Sequence, residues 1–289
     1  MQRSHTLQRL GTMGMVLPQM AALARDVPRA LIGGWRQGAR FDDVRSFCLF
    51  IGYPRSGHSL VGALLDAHPH ILLAHEQHVL RYVRAGFSRG QIFFLLADNS
   101  RRFAAASAAD PRYSYHVPGQ WQGASDGKLS VIGDKGAWGA TLALARRPDL
   151  LDHLRRLSRA AVKFIHIVRN PYDTIARMVE REEVDLDRAI DHYFRLAATV
   201  ATMKGRIPEA DLLELRHEEF VAAPQVRLAE ICGFLGVEAA PAYLAACAGI
   251  VFPSPRHSRH EADWSDELIG RVQQRCAEAP FLTGYAFAE

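Results

Sequence analysis

Gly52-Tyr-Pro-Arg-Ser-Gly57-His58-Ser59 carries residue types at a spacing that suits an anion. Two glycines bracket four residues and a hydroxyl residue closes the run, the spacing of a Walker A loop. In that arrangement backbone N–H groups and the first turn of a helix wrap a phosphate. The position of the loop's lysine, however, holds His58, and an imidazole is a poor substitute for a fixed ammonium on β- and γ-phosphates. No strand legible in the sequence ends in an acid placed to hold magnesium; the clearest, Val162–Val168, ends at Arg169. The loop reads as built for an anion without a metal clamp.

A second constellation is Val168-Arg169-Asn170-Pro171-Tyr172-Asp173. Asn170 suits a helix N-cap, Pro171 the first helical position, and Asp173 the acid of a capping box. Helix capping explains those three and leaves Arg169 over: a guanidinium at the carboxyl end of a buried strand, beside a helix start already favourable to anions. A third is His75-Glu76-Gln77-His78, after the short apolar run Ile71–Ala74. A carboxylate there faces the same edge as the loop and suits a general base, with His75 and His78 as rivals. The spacing is not that of a zinc protease helix.

The loop resembles the 5′-phosphosulfate loop of sulfotransferases that use 3′-phosphoadenosine-5′-phosphosulfate (PAPS). The chemistry agrees, since a sulfuryl group carries less negative charge than a phosphoryl group and can be held by donors and cations alone. The resemblance implies that Arg55, Ser56, Gly57, His58 and Ser59 bind the cofactor, with His58 where a hydroxyl residue is usual. It implies that Arg169 holds the 3′-phosphate. Arg177 stands where a serine is usual, either supplying a further cation or pairing with Asp173 at i,i+4. Arg181, one turn on, matches an arginine lining the nucleotide in tyrosylprotein-sulfotransferase-like members. The run Pro54 to Glu76 is most similar to those enzymes and their bacterial relatives, and puts Glu76 on the catalytic base. Arg55 and Lys135 fall on cations at the leaving phosphate; for Lys135 the plain alternative is a turn lysine paired with Asp134. Leu213–Phe220 resembles a segment beside the adenine, with His217 in place of the usual tyrosine. Arg256 and Arg259, in the basic stretch Ser254–Trp264, are weaker candidates for a loop closing over the 3′-phosphate. The tail Thr283–Glu289 lacks the glycine- and lysine-containing motif of cytosolic members.

These residues need strands that end together. Five apolar runs, Phe47–Tyr53, Ile71–Ala74, Val131–Gly133, Val162–Val168 and Leu212–Leu215, alternate with helical patterns. That alternation predicts an α/β fold, P-loop-like, with a central parallel sheet as the middle of three α/β/α layers. Ligands on such sheets bind beyond the carboxyl ends of the strands. Asp110–Lys128, rich in Gly, Pro and Ser with Tyr113, Tyr115 and Trp121, reads as a long loop suited to shaping an acceptor pocket. The 289 residues divide into a basic N-terminal segment, 1–46, and a single sulfotransferase domain, 47–289.

The first 40 residues carry Arg3, Arg9, Arg25, Arg29, Arg36 and Arg40 against one acid, Asp26. A transit peptide, a membrane-surface helix, a flap over an anionic ligand and a solvated helix packed on the domain all suit that composition. No run approaches the roughly 20 apolar residues of a membrane span. Four scattered cysteines form no Cys-x-x-Cys pair, which suits a reducing cytoplasm and no metal. A net charge of +4 and a pI near 9.0 fit a small polyanion better than a nucleic acid.

The expected reaction moves a sulfuryl group from PAPS to a hydroxyl or amine of a small-molecule or biopolymer acceptor, leaving 3′-phosphoadenosine-5′-phosphate (PAP). A P-loop kinase or NTPase with a degenerate loop, and a non-catalytic nucleotide-binding protein on the same fold, are the rival classes. The acceptor and the oligomeric state are not legible.

Overall fold

The computed structural model describes residues 23–110 and 115–288. Five strands form one parallel sheet: β1 (Ser46–Ile51), β2 (Ile71–Ala74), β3 (Val131–Asp134), β4 (Ala161–Val168) and β5 (Leu212–Arg216), in the order β2-β3-β1-β4-β5. Every residue of β1 is buried, as expected of a central strand covered on both faces. Its side chains alternate. Phe47, Leu49 and Ile51 join one core with Leu72, Ile132 and Phe164, while Cys48 and Phe50 join the other with Leu73, Val131 and Ile165.

The helices cover both faces. On one lie residues 23–37 (α1), α3 (Leu80–Arg84), α4 (Arg89–Ala108), α5 (Ala137–Arg146) and α6 (Asp149–Ser158); on the other lie α2 (His58–Asp66), α10 (Pro224–Leu235) and α11 (Pro241–Ala248). A third apolar cluster joins α7 (Pro171–Glu182), α8 (Leu186–Lys204) and α12 (Asp266–Cys276) to the tail through Tyr285; α9 (His217–Ala222) follows β5. The predicted layers and all five strands are present. The helical stretch between β3 and Ser158 is broken by Arg147-Pro148 into α5 and α6. Pro148 stands at the N-cap of α6, where a missing N–H costs nothing.

Parallel pairing aligns the strand ends, with Leu49 opposite Asp134, Ile51 opposite His166 and Val168 opposite Arg216. The segments that follow all five strands therefore emerge at one edge of the sheet. Of the N-terminal arginines, Arg3 and Arg9 lie outside the described residues. Within α1, Arg29 pairs with Asp98 of α4 at 2.9 Å and with Asp26 at 2.8 Å, and Gly33 lies against the ring of Phe94. No described helix is long and apolar enough to cross a membrane.

Candidate active site

A cavity of about 1110 Å³ opens at the carboxyl edge of the sheet. It is lined by Arg55, Gly57, His58 and Ser59 after β1, Glu76 and His78 after β2, Lys135 after β3, Arg169, Arg177 and Arg181 after β4, and His217 after β5. Of the residues the sequence offered for the site, Ser56, wholly buried beneath the loop, the rival base His75, and Arg259 do not line this cavity.

The loop is held from below. The Gly52 N–H donates to Thr141 Oγ1 at 2.9 Å, and Ser56 Oγ lies 3.1 Å from the Tyr53 carbonyl. His58 is part of this support. Its Nε2 lies 3.2 Å from the Ile51 carbonyl and its Nδ1 2.9 Å from Ser56 Oγ. Burial, then the nearby His166 and Lys135, push the imidazole down to about 3, so it is neutral. A neutral ring donating from Nε2 to Ile51 leaves Nδ1 as an acceptor, so the single proton of the Ser56 hydroxyl is shared between Nδ1 and the Tyr53 carbonyl. The side chains of His58 and Ser56 are thus committed inside the loop. For an anion there remain the first backbone N–H groups of α2, which have no intrahelical acceptor. Gly57, at φ +101°, is required: a Cβ there would sit 2.5 Å from His217 Nδ1.

Glu76, half exposed, accepts a hydrogen bond from Lys135 Nζ at 3.0 Å. The same ammonium, only 3% exposed as a residue, donates to Ser59 Oγ at 3.0 Å and approaches His75 Nε2 at 3.4 Å. Lys135 does not pair with Asp134, whose carboxylate accepts from the backbone N–H groups of Gln77, Val79 and Gly136. Those bonds fold the chain around Glu76. Glu76 and His78 adopt φ of +52° and +55°, and Arg55 +70°, conformations unfavourable for non-glycine residues and maintained here by surrounding bonds. Partial burial pushes the Glu76 carboxyl up, but Lys135, with lesser help from His75 and His78, outweighs it and holds the group below the ordinary carboxylate range. Burial pushes the Lys135 ammonium down, with Glu76 the chief opposing influence.

Of the rival bases, His75 stacks on Phe103 with ring centroids 3.7 Å apart. Burial and then Lys135 push its imidazole down to about 4. His78 is exposed at the cavity wall, its ring against Gly139.

At the other end of the cavity Arg169 is buried. It donates to the carbonyls of Arg55, at 3.4 Å, and of Arg256, joining the 52–59 loop to the 251–256 segment. Its Nε is buried with no partner among the described residues, and so is Nδ1 of His217. Burial, followed by Arg169, pushes His217 down to about 3, so the ring faces the cavity uncharged.

Asn170 caps α7 as expected, accepting from the Tyr172 N–H at 3.0 Å. Asp173 does not complete a capping box. Its carboxylate takes Arg259, through the backbone N–H at 2.9 Å and Nη1 at 3.2 Å, both side chains being 2% exposed. The acid reaching the N-cap N–H is instead Glu218, at 2.8 Å. This corrects the capping box expected of Asp173 and the candidacy of Arg259, which is a buried structural cation; of the two alternatives for Arg177, pairing with Asp173 does not occur, its partner being Glu180. Arg256 lines the cavity while paired with Glu261. Sequence reasoning missed Trp138, at the start of α5, and the apolar wall Val251–Pro255. Tyr115 lines the cavity, Trp121 does not, and Tyr113 lies outside the described residues. Among the described residues no three metal-ligating side chains converge.

The model of the sulfotransferase family matches residues 49–241, two-thirds of the chain. The chain belongs to the sulfotransferase family. Solved structures with a similar fold include the sulfotransferase domain of the Synechococcus PCC 7002 olefin synthase, at 18% identity over 80% of this chain and 88% of that one, TM-score 0.44. A Mycobacterium avium sulfotransferase is 13% identical over 90% of this chain and 80% of its own, TM-score 0.48. A mouse sulfotransferase solved with PAP is 13% identical over 79% and 72%, TM-score 0.38. No curated protein matches the chain.

Proposed function

We propose that this sulfotransferase uses PAPS as donor and a hydroxyl or amine as acceptor, with Glu76 as general base. The observation that carries the reading is the bridge formed by Lys135 between Ser59 of the phosphate loop and Glu76. It couples the loop suited to the 5′-phosphosulfate to the carboxylate suited to the acceptor. The partnerless Arg169 Nε, with Arg177 and Arg181 beyond it, supplies cationic donors fitting the 3′-phosphate. His217, an uncharged ring lining the same cavity, suits a purine.

In this mechanism the acceptor oxygen or nitrogen attacks sulfur as its proton passes to Glu76. The bond from sulfur to the bridging oxygen breaks, and PAP departs. Charge growing on that oxygen is met by Lys135, Arg55 and the first N–H groups of α2, donors in place before the reaction. Because Lys135 holds Glu76 below the ordinary carboxylate range, the base is ionised at neutral pH. The four cysteines are buried free thiols, which supports a reducing compartment, the cytoplasm.

Calorimetric titration with PAP, followed by transfer of labelled sulfate from PAPS into a panel of hydroxyl and amine acceptors, tests the proposal. Binding of PAP that survives Glu76→Gln, with transfer lost, is expected. Absence of PAP binding overturns the reading, and magnesium-dependent ATP hydrolysis would favour a kinase. Binding without transfer to any acceptor would leave a nucleotide-binding protein.

A further inference from the structure

The seven large apolar side chains that are exposed among the described residues are unevenly placed: Val27, Leu31, Ile32 and Trp35 fall within nine positions of α1, and Trp35 is 85% exposed. Their spacing puts them on the outward side of the helix, opposite the buried Ala30 and Gly33 that meet the domain. An apolar stripe on the outside of a helix already packed on its other side has no use in the fold described here.

The charges beside the stripe indicate what covers it. The exposed residues of 24–36 include Arg36 and no acid, since Asp26 is withdrawn into contacts with Arg29 and Tyr82. Two copies meeting through this face would bring arginine toward arginine with no exposed carboxylate of the same helix to separate them. A bilayer carrying anionic headgroups instead supplies hydrocarbon for Leu31 and Trp35 and counter-charge for Arg36, the pattern of helices that lie in the membrane interface.

We propose that the outer face of α1 docks this protein on an anionic membrane surface, with Leu31 and Trp35 inserted and Arg36 among the headgroups. This holds whatever the donor and acceptor of the enzyme. It places the protein on the membrane by one helix lying in the interface plane, without a spanning segment.

The test uses the full chain and vesicles of phosphatidylcholine, alone or mixed with phosphatidylglycerol, read by co-sedimentation. The expected result is binding to the mixed vesicles that weakens with salt. Leu31→Glu and Trp35→Glu should each weaken it by roughly 10- to 100-fold, the loss of one buried apolar side chain. Arg36→Gln should weaken it about fivefold. Brominated lipid should quench tryptophan fluorescence in the native chain and much less in Trp35→Phe. Because these side chains are exposed, thermal midpoints of the variants should match the native protein. No binding to mixed vesicles overturns the proposal. So does binding undiminished in Trp35→Glu, which would assign the contact to another part of the chain, or a dimer in light scattering that Trp35→Glu dissolves without any vesicle binding.

Discussion

Replacing Lys135 by methionine separates chemistry from folding at this site. The side chain is nearly inaccessible, yet its ammonium bonds Glu76 and Ser59, each at 3.0 Å. Methionine keeps the length of the buried stem and removes the charge. A donor at a developing oxyanion contributes roughly 2.7–4 kcal/mol to transition-state stabilisation, which is about 100- to 1000-fold in kcat. Stability should move the other way or not at all. A desolvated ammonium is replaced by an apolar group, and the carboxylate left behind is half exposed and keeps its water. The pH profile gives a third readout. Transfer requires ionised Glu76, so activity is lost as pH falls through the pKa of that carboxyl. Lys135 holds the value down, and its removal must shift the acid limb toward higher pH. Single-turnover transfer of labelled sulfate across the acid range, with urea unfolding at neutral pH, measures all three. A Lys135→Met enzyme with kcat within tenfold of the native value and an unmoved acid limb would refute the reasoning. So would a large loss of stability, which would make Lys135 a packing residue.

Two arginines should divide binding from catalysis. Arg169→Ala should weaken PAP by roughly 10- to 100-fold in calorimetry, the loss of charge-assisted bonds worth about 1.5–3 kcal/mol. Arg55→Ala should lower kcat by two to three orders of magnitude, about 2.7–4 kcal/mol, with the fold intact. The buried ion pair gives a stability test: Asp173→Ala leaves Arg259 uncompensated and should destabilise by about 3–5 kcal/mol in urea, while Arg177→Ala should cost little. His58 and His217, both pushed to about 3 from 6.5, bind protons in the unfolded chain before they do in the folded one. Stability should therefore fall as pH drops below 6.5, by up to about 1.4 kcal/mol per pH unit for each ring. His58→Gln should flatten that slope in urea midpoints between neutral and mildly acid pH, and an unchanged slope would show that the ring is not held neutral.

Much of this was legible because parallel sheets translate sequence order into place. An apolar run buried on both faces is recognisable as a strand, and a parallel strand delivers whatever follows it to the carboxyl edge. Arg55, Glu76, Lys135, Arg169 and His217 each follow a different strand, so five local patterns were enough to bring them to one cavity. Asn170 and Pro171 were readable for a similar reason, since a helix cap depends on neighbours within one turn.

What a charged or hydrogen-bonding side chain pairs with was decided by tertiary contact. Asp173 has the spacing of a capping acid, yet Arg259, 86 residues away, takes it, and Glu218 from the next strand's end replaces it at the cap. His58 occupies the position of an anion-binding side chain but turns beneath its own loop, because Ile51 and Ser56 offer partners there and burial keeps the ring neutral. The Lys135 bridge joins the ends of two adjacent strands, and the positive φ of Glu76 that serves it is maintained by backbone bonds to Asp134. A pattern within one turn or one strand is written in the sequence. Partners brought together by packing are fixed only when the layers close, because a buried polar group takes whichever partner the fold leaves within reach.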